Sequence, residues 1–268
     1  MGESVFRKDF LEGKVAFVTG GGSGICKGIA RALMEHGART AIVGRKQERL
    51  EASAKELGEA TGRECLAVSA DVREPPSVET ALQRTLDRFG RIDVVVNGAA
   101  GNFLAPAAQL SYNGFRTVLE IDAIGTYNVS KAAFDKVLRD HGGHILNISA
   151  TLHYAGTPLQ VHASAAKAAV DAMTRTLAVE WGQLGIRVTG IAPGPIADTE
   201  GIARLVPDAV KDQVESAIPL GRMGRIDEIA NLALFLISPA ASLIHGETVV
   251  ADGGAWLVGS GFTRAQSV

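Results

Sequence analysis

The chain has 268 residues, 46% hydrophobic and 21% charged, with a formal net charge of −2. That length suits one large α/β domain or two small ones and can bury a sizeable core. The balance of charge carries no polybasic footprint for nucleic acid, and no apolar run approaches membrane-spanning length. Cys26 and Cys65 form no metal-ligand cluster and point to a reducing compartment. Residues 1–10 contain no apolar core of the secretory kind, so a soluble chain without a cleaved leader is expected.

Short apolar, β-branched runs at 15–19, 40–43, 65–69, 94–97, 144–149, 187–192 and 248–251 predict strands. Helical patterns at 25–36, 47–58, 77–89, 114–139, 160–182 and 227–237 fall between and after them. Strands without polar alternation, separated by helices, predict a parallel sheet covered on both faces. The expected architecture is α/β: a single doubly wound, Rossmann-type domain over 1–268 with about seven strands. The segment 196–218 breaks the pattern and reads as an insertion covering a pocket.

The first strand runs into Thr19-Gly-Gly-Gly-Ser-Gly24-Ile-Cys26, a glycine-rich turn that opens a helix. Glycines let the backbone approach a pyrophosphate, and the helix N-terminus offers free N–H groups and the positive dipole end. Gly20, Ser23, Gly24 and Ile25 are therefore candidate phosphate-binding residues, against the plainer reading of a tight turn. The second strand ends at Gly44-Arg45, where an NAD site would carry an acid for the ribose 2′-hydroxyl. Arg45 instead suits a 2′-phosphate through charge-assisted bonds, which favours NADPH; the alternative is a solvated arginine at a helix start.

Thr-Gly-x-x-x-Gly-Ile resembles the spacing of short-chain dehydrogenase/reductases, with Cys26 where that family usually has Gly. Asp71-Val72 resembles the family's adenine-contacting pair. Asn97-Gly-Ala99-Ala-Gly101 resembles the turn beside the cofactor, and Pro193-Gly194-Pro-Ile196 the turn that meets the nicotinamide carboxamide. The resemblance runs from residue 14 to residue 256 and implies that these residues hold the cofactor.

The active-site helix of that family carries a Tyr one turn before a Lys, so that both side chains share a face. In Gln160-Val-His-Ala163-Ser-Ala-Ala-Lys167 the Lys is kept and Ala163 stands at the Tyr position; the family's Ser position is Ala150. In the family, that Tyr exchanges a proton with the substrate oxygen while the Lys lowers its pKa and holds the nicotinamide ribose. Enoyl-thioester reductases on this scaffold place their Tyr where Gln160 stands here. Two readings remain: NADPH binding without catalysis, or a substrate that accepts hydride without a strong acid on oxygen. A conjugated thioester meets the second condition, because charge runs to the thioester oxygen and water can protonate carbon. A carbonyl reductase with a substitute acid, for which Tyr154 is a candidate, is a further alternative.

Ala99-Ala-Gly-Asn102-Phe103, Ile121-Asp122, Val161-His162-Ala163 and Ala251-Asp252-Gly-Gly-Ala-Trp256 resemble 2,4-dienoyl-CoA reductases of the peroxisomal type. The resemblance implies NADPH-dependent reduction of 2,4-dienoyl-CoA to trans-3-enoyl-CoA in β-oxidation of unsaturated fatty acids, and a homotetramer. Asp122 falls in the apolar stretch 118–124; buried, it needs a partner. It is expected to orient a water with Lys167, and Asp252 to be the second carboxylate on that water or else a structural turn. Asn102 and Phe103 line the acyl pocket or simply pack. His153, Tyr154 and His162 read first as ordinary polar residues, and no spacing suggests a metal site. The resemblance implies a peroxisomal location, whereas the terminal Gln266-Ser267-Val268 is not of the Ser-Lys-Leu type, leaving the cytoplasm as the alternative.

Overall fold

The computed structural model describes residue 7, residues 9–206, residue 209 and residues 211–258. The terminal Gln266-Ser267-Val268, most of 1–10 and part of the 196–218 insertion lie outside the described residues.

Seven strands form one sheet: β1 (Val15–Thr19), β2 (Arg39–Gly44), β3 (Cys65–Ser69), β4 (Val94–Asn97), β5 (Gly143–Ile148), β6 (Ile186–Pro193) and β7 (Thr248–Ala251). Their order is β3-β2-β1-β4-β5-β6-β7, and every neighbouring pair is parallel. The helices are α1 (Gly24–Glu35), α2 (Gln47–Thr61), α3 (Pro75–Phe89), α4 (Tyr112–Leu119), α5 (Gly125–Ala133), α6 (Arg139–His141) and α7 (Val161–Trp181). Beyond β6 come α8 (Glu200–Leu205), α9 (Lys211–Ala217), α10 (Ile226–Ile237) and, after β7, α11 (Ala255–Val258).

Successive side chains of β1 point to opposite faces, and both faces are covered. Ala16 and Val18 pack with Ile29 and Leu33 of α1, Leu57 of α2 and Leu234 of α10. Val15 and Phe17 pack with Leu82 of α3, Val129 of α5 and Leu177 and Trp181 of α7. This is why the strands show no polar alternation. Each fully buried side chain of this size contributes roughly 1.5–3 kcal/mol. The contact of α1 with α10 depends on Gly28, where a Cβ would run into the stiff β-branched side chain of Ile226.

The run expected as one helix over 114–139 begins earlier and is not uniform. Ser111 caps it by accepting from the Gly114 N–H at 3.0 Å, and the wider π-helical segments Glu120–Ile124 and Phe134–Leu138 interrupt it. The first of these carries Asp122. Such segments often mark functional sites, because they re-aim side chains that a regular helix would hold elsewhere. The insertion contains α8 and α9, and α11 follows β7; the periodicity of the sequence indicated none of the three. No described helix is long and apolar enough to cross a membrane.

Candidate active site

The strand order reverses direction at β1 and β4, so a crevice opens at their C-terminal ends, the usual ligand position in an open parallel sheet. Thr19 pins the two ends together: its hydroxyl donates to the Val96 carbonyl at 3.2 Å and accepts from the Gly98 and Ala99 N–H groups at 3.0 and 3.3 Å. Gly20, at φ +70°, lies so close to β4 that a Cβ would stand 2.6 Å from the Gly98 carbonyl oxygen. Ser23 starts α1 from an extended conformation with its hydroxyl not engaged in capping, and the first turn holds no acidic residue. Uncapped N–H groups, glycine backbone and no opposing charge fit a pyrophosphate.

Cys26, where Gly is usual, does not disturb this cradle. Its buried sulfur fills space that a Cβ at Gly98 would claim, so the two positions are complementary. Burial pushes the Cys26 thiol up to about 12, leaving a neutral packing group.

At the C-terminal ends of β2 and β3, Arg45 is exposed just beyond β2, and its charge reaches Asp71. Asp71 holds Arg73 through Nε at 3.0 Å and Nη2 at 2.5 Å, and the guanidinium keeps its carboxyl below the usual range. Val72 is buried against Gly125, and its carbonyl accepts from Asn128 at 2.9 Å. Arg49 has no role in the sequence reading, yet it bridges two parts of the site. Its Nε donates to the Gly22 carbonyl at 3.2 Å, and its Nη1 and Nη2 pair with Glu200 of the insertion. Thr199 lies beside Gly24, so the insertion passes over the glycine turn. No local signal could have linked residues this far apart in sequence.

At the other end of the crevice, Asp122 and Lys167 form a buried ion pair of 3.1 Å. The second Asp122 oxygen accepts from the Gly101 N–H at 2.7 Å, and Lys167 Nζ also donates to the Ile148 carbonyl at 3.0 Å. Pairing and hydrogen bonds together offset the cost of burying both charges. Ala163 packs with Val118, Ala123 and Ala166, closing with methyl groups the place of the usual hydroxyl. Asn97 joins β4 to β5 and α5, donating to Asn147 and Ser130 at 2.9 Å each; its Oδ1 is buried without a protein partner. Asn102 donates to Gln160 at 2.6 Å, and Phe103, 41% exposed, stacks on His162 with ring centres 4.4 Å apart.

Pro193 and Gly194 end β6 and turn toward β7, where the Gly194 N–H donates to Ala251 at 3.1 Å; Ile196 is buried and bridges Gly224. Asp252 lies behind that turn: a Cβ on Gly194 would meet the Asp252 Cβ at 2.5 Å. Its two oxygens accept from the Gly254 and Trp256 N–H groups at 2.8 Å each, so it shapes the turn into α11. A carboxylate has about four acceptor sites, so these bonds leave capacity for a water. Tyr154 is unsuited to be a substitute acid. Its hydroxyl donates to Asp171 at 2.9 Å, a carboxylate shared with His153, and burial together with that charge pushes its pKa up.

A switch-point crevice with a phosphate cradle at one end and a buried lysine at the other defines a nicotinamide-dependent oxidoreductase. Comparison with known proteins narrows the class: the chain belongs to the short-chain dehydrogenase/reductase family. A family model described as Enoyl-(Acyl carrier protein) reductase matches residues 20–255. The chain is 54% identical over 254 residues to a peroxisomal 2,4-dienoyl-CoA reductase, (3E)-enoyl-CoA-producing, of Pongo abelii, covering 94% of this chain and 87% of that one. It is 46% identical to a protein of the same description from Saccharomyces cerevisiae, covering 97% and 90%. Among solved structures, a 3-ketoacyl-(acyl-carrier-protein) reductase from Brucella melitensis complexed with NADH is 30% identical with a TM-score of 0.85, covering 92% and 99%.

Proposed function

We propose that the chain is an NADPH-dependent 2,4-dienoyl-CoA reductase that forms trans-3-enoyl-CoA. One observation carries this reading: at the reacting end, Ala163 and Ala150 stand where hydroxyl acids would be, while Lys167 remains, paired with a buried Asp122. A site without an acid for a carbonyl oxygen suits a substrate whose new proton goes to carbon.

The turn from Gly20 through Ser23 and Gly24 to Ile25 holds the pyrophosphate, and Arg45 the 2′-phosphate. Asp71 and Val72 contact the adenine, Asn97 and Ala99 wall the crevice, and the turn from Pro193 and Gly194 to Ile196 meets the carboxamide. Bound NADPH supplies hydride to the δ carbon of the dienoyl group. Negative charge then builds on the thioester oxygen, and the α carbon takes a proton. Lys167, oriented by Asp122 and the Ile148 carbonyl, has one N–H left to hold the ribose or a water. The water that protonates the α carbon is oriented by Lys167 and Asp122, with Asp252 as the second carboxylate. It gives one O–H proton to carbon and the hydroxide left is reprotonated by solvent, while Asn102 and Phe103 border the acyl chain.

The same reading places the enzyme in the peroxisome and makes it a homotetramer. Ile124 and Tyr127, exposed on the helical run that includes α5, and Val179, exposed on α7, offer apolar surface for subunit pairing. Light scattering at micromolar concentration reads the assembly, and a stable monomer contradicts it. The function is tested by NADPH oxidation with 2,4-hexadienoyl-CoA against simple ketones. Turnover of ketones alone rejects the proposal, and turnover of neither indicates a cofactor-binding scaffold.

A further inference from the structure

His162 is fully buried, at 0% exposure, yet neither ring nitrogen has a hydrogen-bond partner in the protein. A neutral imidazole carries one N–H donor and one acceptor, so in either tautomer one buried N–H of His162 is left without an acceptor. Buried polar groups are nearly always satisfied, and an exception calls for a cause. The ring is held in place: it stacks on Phe103 with centres 4.4 Å apart and planes 33° from parallel. Phe103 in turn rests on the start of α4, where a Cβ at Gly114 would meet it at 3.1 Å. His162 also directly precedes Ala163, and Gln160 two positions earlier anchors Asn102.

The chemistry requires a donor at this end of the site. As hydride reaches the δ carbon, charge accumulates on the thioester oxygen, and a fixed N–H or O–H aimed at that oxygen stabilises it. The two hydroxyl positions are Ala163 and Ala150. Asn102 is tied to Gln160 through one amide N–H, Tyr154 gives its hydroxyl to Asp171, and Lys167, held by Asp122 and the Ile148 carbonyl, keeps its remaining N–H for the ribose or a water. The unpartnered atoms of Asn97 and Asn102 are carbonyl oxygens, which only accept. His153 donates to Asp171 through Nε2, which ties its ring to that carboxylate beside Tyr154. Among the described residues around the reacting end, the buried donor side chains that make no hydrogen bond to the protein at all are Ser149 and His162. Ser149 continues the β5–β6 ladder, its N–H donating to Ile191 at 2.7 Å, whereas His162 lies against the acyl-pocket residue Phe103.

We propose that His162 donates the hydrogen bond that binds the thioester carbonyl oxygen of the acyl-CoA and stabilises the charge formed there. This rests on the dienoyl-CoA reductase reading. The decisive variants are His162→Phe, which keeps the stacked ring and removes the N–H, and His162→Gln, which restores a donor. Loss of one donor to a developing oxyanion lowers kcat about a hundredfold. That loss is expected in His162→Phe with NADPH affinity unchanged, and partial recovery in His162→Gln. A second readout needs no turnover. Binding of 2,4-hexadienoyl-CoA to the unmodified protein with NADP⁺ shifts the ligand's absorbance band to the red, as the polarised carbonyl draws electrons along the diene, and His162→Phe abolishes the shift.

An unchanged kcat in a folded His162→Phe protein overturns the proposal. So does a hundredfold loss confined to Ser149→Ala, which would make Ser149 the donor. If His162→Phe does not fold, the absorbance shift in the unmodified protein and its retention in His162→Gln decide, and no shift in the unmodified protein counts against the proposal. Failure of the unmodified protein to turn over any 2,4-dienoyl-CoA removes the underlying function instead, which separates the two failures.

Discussion

Lys167 Nζ lies 3.1 Å from Asp122 Oδ2 and 3.0 Å from the Ile148 carbonyl, and both side chains are buried. The pair links α7 to the π-helical segment Glu120–Ile124 and reaches Gly101 through the other Asp122 oxygen at 2.7 Å. Removing the carboxylate by Asp122→Ala strands a buried ammonium, which costs about 3–5 kcal/mol of stability. Asp122→Asn keeps an acceptor for Gly101 and isolates the chemistry. Its NADPH affinity is expected to stay within a few-fold while kcat falls by about two orders of magnitude. Combining Asp122→Asn with Asp252→Asn costs less than the sum of the single losses if both carboxylates hold one water. Cofactor titration and steady-state kinetics on the three variants check this, and full activity in Asp122→Asn removes it from the mechanism.

Cofactor preference is assigned to Arg45. Arg45→Ala is expected to narrow the difference in binding free energy between NADPH and NADH by about 1.5–3 kcal/mol, the range for a hydrogen bond to a charged group. Fluorescence titrations with both cofactors measure it. Equal affinities in the unmodified protein would exclude the assignment.

Cys26 and Gly98 occupy one volume between α1 and the end of β4. Gly98→Ala forces the new methyl into the Cys26 sulfur, an overpacking expected to cost about 1–3 kcal/mol. Adding Cys26→Gly restores the space, so the double variant should be more stable than Gly98→Ala alone. Urea unfolding of the four proteins in this cycle gives the coupling, and additive losses contradict it.

His144 carries a pH dependence of stability. Arg187 donates to its Nδ1 at 3.1 Å, its Nε2 meets the Thr189 hydroxyl at 2.7 Å, and burial holds its pKa well below the usual 6.5. The unfolded chain binds this proton more readily than the folded one. The contribution of neutral His144 is therefore complete above pH 6.5 and is lost as pH falls below it, by up to about 1.4 kcal/mol per pH unit. His144→Gln should flatten stability against pH between 6.5 and 5 relative to the unmodified protein. An identical slope in both proteins would falsify the assignment.

The sheet was legible because its central strands are buried on both faces and read as unbroken apolar runs, as in Val94 to Val96. The glycine turn was legible because phosphate binding demands backbone approach, and only glycine allows it where Gly20 meets Gly98. Helical periodicity does not reveal where one extra residue widens a turn, so the π-helical setting of Asp122 was hidden. Long-range pairs were hidden too: Arg49 meets Glu200 across the fold, and Cys26, where Gly is usual, is accommodated because Gly98 lies opposite it. Asp252 was read either as a carboxylate on the water or as a structural turn, and the two backbone N–H groups it accepts give it the turn role, shaping the entry into α11.

The most direct test of the central claim is the product formed from 2,4-hexadienoyl-CoA and stereospecifically deuterated NADPH in D₂O. Deuterium from the cofactor should appear on the δ carbon, deuterium from solvent on the α carbon, and the double bond at the trans-3 position. Cofactor deuterium on a hydroxyl-bearing carbon, or a product retaining the 2-ene, would contradict the account.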